Sequence, residues 1–372
     1  MRQVCDVMVI GGGVVGAALA WGLAGGGARV AVLDEGDMAW RASRGNFSLV
    51  WVQGKGRGLP DYANWTQRSA GLWDGFAAAL RQETGIDVAY RRPGGLALCL
   101  SEAELAARAE ALRRLNAQPG VRRYDVEVLD RRAVAALLPA VGPEVAGATF
   151  CALDGHCNGL LLLRALHAGL QRRGAAYVPE ARVERLEWAQ GTFRAATARG
   201  DWQAGRVVLA AGLDNARLAP MVGLAAPVRP QRGHVIVTER APPLLYHPLH
   251  TLRQTAEGSI LIGDSLEEAG FDDRVGLDVL SAMAARALRM VPALGRLNVV
   301  RSWAALRVMP PDGFPIYDAS RCCPGAFVAT GHSGVTLAAA HALALAPMLA
   351  EGRLAPDLAP FGAGRFDVPA TA

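Results

Sequence analysis

No C-x-x-C pair occurs among the six cysteines, Cys5, Cys99, Cys151, Cys157, Cys322 and Cys323. The chain therefore lacks the four-cysteine spacing that holds an iron–sulfur cluster. Neighbouring Cys322 and Cys323 rarely bridge each other, so the thiols are expected to be reduced and the protein cytoplasmic. Low-complexity tracts are missing, and so are repeats at solenoid or propeller spacing. The net charge of +5 comes almost wholly from arginine. Those arginines are scattered and carry no interleaved aromatics, which excludes a nucleic-acid face. An Arg-rich coding bias explains the balance better. Met1-Arg2-Gln3 leads into a glycine-broken apolar run rather than a charged region and a cleavage site, so no signal peptide is expected. Charged residues make up only 20% and hydrophobic ones 51%, which argues against disorder. A chain of 372 residues can bury a large core and is expected to form two domains.

Two charge-free stretches are long enough to span a membrane, Val7 to Ala28 and Pro324 to Ala350. The first is rich in glycine and turns from strand to helix. The second contains Gly331-His332-Ser333-Gly334 and Pro347. Both read as buried elements of an α/β protein, and no transmembrane segment is expected.

What is present begins with "CDVMVIGGGVVGAALAWGLAGGGARVAVLDEG", Cys5 to Gly36. Asp6 to Ile10 reads as a buried strand, Val14 to Leu23 as a helix, and Arg29 to Leu33 as a second strand. Gly11, Gly13 and Gly16 hold G-x-G-x-x-G spacing between the first two. Gly11 permits the tight turn, Gly13 admits a pyrophosphate to the backbone, and Gly16 lets helix and strand pack closely. The helix N-terminus offers free N–H donors to phosphate. Asp34 stands where a carboxylate takes ribose hydroxyls. Together these predict a dinucleotide site without separating FAD from NAD.

Later pieces separate them. They are Ala42-Ser43-Arg44-Gly45-Asn46, Val207 to Gly212, "PVRPQRGHVIV" (Pro227–Val237), "LIGDSLEEAGFD" (Leu261–Asp272), "WAALRVMPPDGFPI" (Trp303–Ile316) and Gly331 to Leu337. With the first motif and Asp34, in this order, the chain resembles the D-amino-acid oxidase superfamily of FAD enzymes, whose close types include glycine oxidase and sarcosine oxidase. The resemblance covers nearly the whole length.

It implies an α/β fold: a Rossmann-like FAD-binding domain of glutathione-reductase type, with an inserted α+β substrate domain built on an antiparallel sheet. The flavin domain is expected over 1–85, 148–220 and 300–372, and the substrate domain over 86–147 and 221–299. The same resemblance implies the FAD contacts. Gly11, Gly13, Val14, Val15 and Gly16, with Asp34 and Glu35, serve the nucleotide end. Ser43, Arg44 and Asn46 line the pyrophosphate and ring. Val183 meets the adenine through its backbone, and Ala211 and Gly212, at the end of a strand, also bind the cofactor. Gly331, His332, Ser333, Gly334, Val335 and Thr336 lie against the pyrimidine side of the flavin, where a helix N-terminus stabilises negative charge. His332 either faces flavin or substrate or occupies a turn; His341, inside the apolar helix, reads as structural. Ala305 falls where sarcosine oxidase carries its flavin-linking cysteine, so FAD is expected to bind non-covalently.

Local signals fill in the layout. "DYANWTQRSAGLWDGFAAALRQETG" reads as a helix capped by Asp61, with Tyr62, Trp65, Leu72, Phe76 and Leu80 on one face. Ser101 to Glu104 form a capping box. "NGLLLLRALHAGLQRRG" is capped by Asn158 and stopped by Gly174. Segment 227–263 alternates like an antiparallel sheet.

Arg307 has apolar neighbours on both sides, and its nearest carboxylate in the chain is Asp312. A buried guanidinium needs a partner. The resemblance makes that partner the substrate carboxylate, so Arg307 also borders the flavin; a structural pair with Asp312 or another acid is the alternative. Tyr246, His247, His250 and Arg253 gather polar groups before a pocket strand and are candidate substrate contacts, with a solvated loop as the alternative. Gln53 and Lys55 are further candidates. "SRGNFSLVWVQGKG" and the C-terminal glycine segment look closest to the catalytic beta subunits of dye-linked dehydrogenases acting on octopine, nopaline or D-hydroxyproline. That implies alpha and gamma partner subunits carrying flavin and an iron–sulfur cluster, and a place peripheral to the inner membrane. A stand-alone oxidase of glycine, sarcosine or D-amino acids and a non-catalytic FAD-binding assembly protein remain alternatives. No metal site is expected.

Overall fold

The computed structural model describes residues 3–36, 42–263 and 265–367. Residues 37–41 of the segment before Ser43, and Asp264 of Leu261–Asp272, lie outside the described residues.

The first strand, Gln3–Ile10, is buried over its last four residues and lies at the centre of an eight-stranded sheet. It runs parallel to Val30–Leu33 on one side and to Gly200–Leu209 on the other. Gly200–Leu209 in turn runs parallel to Ala326–Thr330. The register is level: Ile10 pairs with Leu33 and with Leu209, and Leu209 pairs with Val328. Four chain segments far apart in sequence therefore leave the sheet along one edge. They are Gly11, Asp34, Ala210–Gly212 and Gly331. Carboxyl ends of parallel strands are where such sheets bind ligands.

Helices cover the sheet. Val14–Gly25 is almost wholly buried and packs against Gly159–Arg172 and the C-terminal helix. A Cβ on Gly22 would lie 2.1 Å from the Ala342 carbonyl oxygen, so this glycine sets how closely the two helices cross. The C-terminal helix, Gly334–Glu351, is the one described helix long and apolar enough to cross a membrane, and 67% of it is buried inside the fold. His341 opens a π-helical stretch within it. Its Nε2 meets Tyr317 OH at 2.8 Å.

The helix over Pro60–Thr84 begins two residues earlier than a cap at Asp61 implies. Leu59 is the N-cap, Pro60 occupies the first turn, and Asp61 stands in that turn without capping it. Trp73 is fully buried on its inner face, whereas Leu72 is only partly covered. Ser101 does accept from Glu104 N–H, but the Glu104 carboxylate answers to Leu100 N–H rather than to Ser101. Asn158 accepts from Leu160 and Leu161 N–H, and Gly174 turns the chain after Arg172.

A four-stranded antiparallel sheet stands over the strand ends, ordered Leu252–Gln254, Ser259–Ile262, Arg229–Arg240, Val299–Met309. A three-stranded sheet joins Gly95–Cys99, Gly147–Cys151 and Glu127–Asp130. Two expected domain boundaries thus fall inside strands. Residue 148 lies within the middle strand of the three-stranded sheet, and residue 300 lies within the edge strand that carries Arg307.

Candidate active site

The level strand ends open into a cavity of about 820 Å³. Gly11, with φ +106°, makes the first turn, and a Cβ there would strike the Ala210 carbonyl oxygen at 2.4 Å. Gly16 does not line the cavity; its hydrogen faces the Gly11 carbonyl, 1.9 Å from where a Cβ would stand. Helix and turn could not pack this closely with any side chain at 16. Val14 N–H, at the helix start, donates to Ser43 Oγ at 2.9 Å. The Ser43 hydroxyl keeps its own hydrogen to donate. Asp34 lines the cavity while its Oδ2 accepts from Gly12 N–H (2.6 Å) and its Oδ1 from Gly36 N–H (3.0 Å). Val183 lines the same wall, and its carbonyl accepts from Arg217 Nη2 at 2.8 Å. Ala211 N–H is taken by Asn215 Oδ1.

Gly331 to Thr336 all line the cavity. Ser333 is held at φ +69°, and its hydroxyl meets Lys55 Nζ, Tyr62 OH (3.0 Å) and His332 Nδ1 (3.0 Å). Burial, with Lys55 and Arg307 nearby, pushes His332 down to about 3, so its ring is uncharged at neutral pH. The helix behind it is fixed by Thr336, whose Oγ1 accepts from Trp51 N–H and whose carbonyl accepts from Ser69 Oγ and Trp73 Nε1.

Arg307 projects from the edge strand into the cavity. It is not without intramolecular contacts: Nη1 donates to the Ser265 carbonyl at 2.6 Å and to the Arg232 carbonyl at 3.4 Å. Asp312, one of the acids open to it as a structural partner, is engaged by Arg365. The guanidinium lies flat on Gly233 of the neighbouring strand, where a Cβ would approach Nη1, Cζ and Nη2 to 2.2, 2.4 and 2.5 Å. His234, fully buried, steadies the surroundings. Its backbone N–H donates to Ser265 Oγ (2.8 Å), and its Nε2 accepts from Gly276 N–H (3.0 Å). Gly233 and His234 escaped the sequence reading, although an isolated glycine in a strand pattern is itself a sign of close approach.

The third wall comes from Trp51, Gln53, Lys55, Arg108 and His250. His250 leans on the Trp51 ring, with centroids 5.5 Å apart. Gln53 is buried and donates Nε2 to Asp154 Oδ2 at 2.7 Å. Asp154 Oδ1 accepts from Val52 N–H (2.5 Å) and Gln53 N–H (3.3 Å). Burial pushes this carboxyl up to about 7, against those donors.

Of the sequence candidates, Gly11, Gly13, Val14, Val15, Asp34, Glu35, Ser43, Asn46, Val183, Ala211, Gly212, His250, Arg307 and Gly331 to Thr336 share one cavity. Arg44 is outside its lining. Two substrate candidates are corrected. Tyr246 is 76% exposed and borders a separate surface pocket with Arg91 and Arg92. Arg253 is buried, donates Nε to the Phe47 carbonyl, and is held down to about 10 by desolvation. A cluster of polar residues in a loop reads alike whether it faces a cavity or not.

The residues fit FAD. A first turn stripped of Cβ atoms, helix N–H donors, the Ser43 hydroxyl and an acid at the second strand end line one continuous space with the Gly331–Thr336 turn. Comparison with known proteins agrees. The family described as "DAO: FAD dependent oxidoreductase" matches residues 6–348. An opine oxidase subunit from Agrobacterium tumefaciens (strain Ach5) is 46% identical, over 97% of each chain. Its counterpart from Rhizobium meliloti is 45% identical, over 97% of this chain and 98% of its own. The crystal structure of glycine oxidase from Geobacillus kaustophilus superposes with a TM-score of 0.86 at 27% identity, covering 97% of this chain and 98% of that one.

Proposed function

This chain belongs to the DAO family of FAD-dependent oxidoreductases, and from that premise we propose that it oxidises a carboxylate-bearing amine: a D-amino acid, D-hydroxyproline or an opine. FAD, when bound, supplies the hydride acceptor at N5. The rest is positioning. Arg307 offers a planar fork to the substrate carboxylate and fixes its orientation as well as its charge. The carbonyls of Ser265 and Arg232 and the bare face of Gly233 hold that fork in place. This arrangement is the observation that carries the reading. His332 stays neutral and puts no positive charge beside the amine. No side chain has to act as a strong base, because the neutral amine's own lone pair drives loss of the α-hydrogen. The imine product then hydrolyses to a keto acid and an amine or ammonia. Ala305, packed beside Gly45, provides no sulfur for a covalent flavin link.

The two opine oxidase relatives are, by name, each one part of a larger enzyme. We propose that this chain passes electrons to alpha and gamma subunits carrying flavin and an iron–sulfur cluster, and works at the cytoplasmic side, peripheral to the inner membrane. The similarity to glycine oxidase supports a second reading, a stand-alone oxidase using oxygen.

The test is anaerobic. Glycine, sarcosine, D-amino acids, hydroxyproline isomers and opines are added singly while the flavin absorbance is followed. Loss of absorbance with one class names the substrate; no loss with any refutes the reading. Arg307→Ala should keep its FAD and lose reduction by about 3 kcal/mol or more in transition-state stabilisation. Steady peroxide formation by the purified chain favours the oxidase, and dye reduction without peroxide favours the dehydrogenase subunit.

A further inference from the structure

Arg108 lies on the helix Glu102–Asn116, whose sequence makes it one of many arginines. The fold turns it inward. Its Nε donates to Thr149 Oγ1 at 2.6 Å and its Nη2 to Gln53 Oε1 at 2.8 Å. Both acceptors are neutral, and the guanidinium has five N–H donors. Of the acids on its own helix, Glu104 is committed to Arg286 and Glu110 to Arg113 and Arg114, while Glu102 is exposed. Among the described residues none forms an ion pair with Arg108. Desolvation holds its pKa below the ordinary arginine value, which marks the cost of keeping this charge away from water.

Gln53 is not free to turn. Its Nε2 is bound by Asp154 Oδ2 and by the Gly95 carbonyl (3.2 Å), so its Oε1 must face Thr149 (2.7 Å) and Arg108. Asp154 thereby orients the amide that orients the guanidinium. Two residues along, Lys55, the only lysine in the sequence, points its ammonium at the Ser333 hydroxyl in the same cavity and makes no ion pair among the described residues. Arg307 lines the cavity as well. Such a wall is cationic and built; among the described residues Arg108 has no ion-pair partner, and the Asp154 carboxyl acts on it only across the Gln53 amide.

We infer that Arg108, positioned by Gln53 and Asp154, binds a second anionic group of the substrate, so that the cavity selects amines carrying two carboxylates over amines carrying one. The assignment rests on the reading of Arg307 as anchor of the first carboxylate. Specificity then comes from paired anchors: an amine with one carboxylate satisfies Arg307 and leaves Arg108 desolvated and unpaired, which is the stronger form of rejection.

The experiment is calorimetric titration of the FAD-loaded chain with glutarate and with butyrate. Glutarate is the all-carbon counterpart of two carboxylates bridged through a secondary amine, and neither ligand can be oxidised here. Glutarate should bind roughly tenfold or more tighter than butyrate. Arg108→Gln should erase that preference and leave butyrate nearly unchanged, while Arg108→Lys should keep part of it. Equal affinity for the two ligands in the unaltered protein overturns the inference. So does Arg108→Gln weakening both ligands alike, which a merely structural role would produce. If Arg108→Gln fails to fold, Arg108→Lys decides, because losing the fork geometry must narrow the preference. A glutarate preference that persists while no amine bleaches the flavin would sink the oxidation reading and leave Arg108 as assigned.

Discussion

Replacing Gly233 with alanine adds one carbon, 2.2–2.5 Å from three atoms of the Arg307 guanidinium. The backbone at 233 is not in the left-handed region, so alanine fits the strand conformation. What has to move is the far end of a flexible side chain, and the fold should survive. The guanidinium must withdraw by roughly 1 Å or more to reach van der Waals separation. Its 2.6 Å bond to the Ser265 carbonyl is then broken, and its fork leaves register with a bound carboxylate. A charge-assisted hydrogen bond is worth about 1.5–3 kcal/mol, so carboxylate affinity should weaken roughly 10- to 150-fold. The assay is titration with butyrate, and anaerobic flavin reduction by the best amine, in Gly233→Ala, Arg307→Ala and the double variant. If the methyl acts by displacing Arg307, the double variant is no worse than Arg307→Ala alone. Undiminished affinity in Gly233→Ala, or losses that simply add, would refute the reasoning.

Three further outcomes are expected. Asp154→Asn sets an NH2 group against the Gln53 amide and should flip it, turning a donor toward Arg108; glutarate binding should weaken while butyrate binding holds, as titration will show. Burial keeps His341 neutral, down to about 3, so below the ordinary histidine value of about 6.5 the unfolded chain takes up a proton that the folded chain refuses. Stability should therefore fall as pH drops, by about 1.4 kcal/mol per pH unit for this residue, and His341→Gln should flatten that part of the slope in urea unfolding between about pH 6.5 and pH 5. Gly16→Ala places a carbon 1.9 Å from the Gly11 carbonyl, backbone against backbone, and should yield colourless or insoluble protein on purification.

The nucleotide end was legible because its information is local. Strand, glycine spacing, helix and acid follow one another within Cys5–Gly36, and each constrains the next. Gly331–Thr336 was reachable only through resemblance, since nothing near it says that its turn meets Gly11 across four level strands. Arg307 stands out in its apolar strand, but its support depends on cross-strand register, with Gln231 opposite Arg307 and Gly233 opposite Ala305. That pairing joins segments more than seventy positions apart. Tyr246 and Arg253 misled for the opposite reason. They are polar residues close together in sequence, and the chain carries one to the surface and the other into the core beside Phe47. Arg108 gave no signal at all, because on a polar helix an inward-turned arginine has the same neighbours as an outward one.

A side chain unique in its sequence gives chemistry a single address. Lys55 is partly accessible and contributes to the cavity wall. A protease specific for lysine would cut this polypeptide once, between positions 55 and 56. An acylating reagent would find one side-chain amine, on the cavity wall. Cleavage or labelling there should slow as the cavity fills, giving a direct gauge of occupancy that needs neither colour nor turnover.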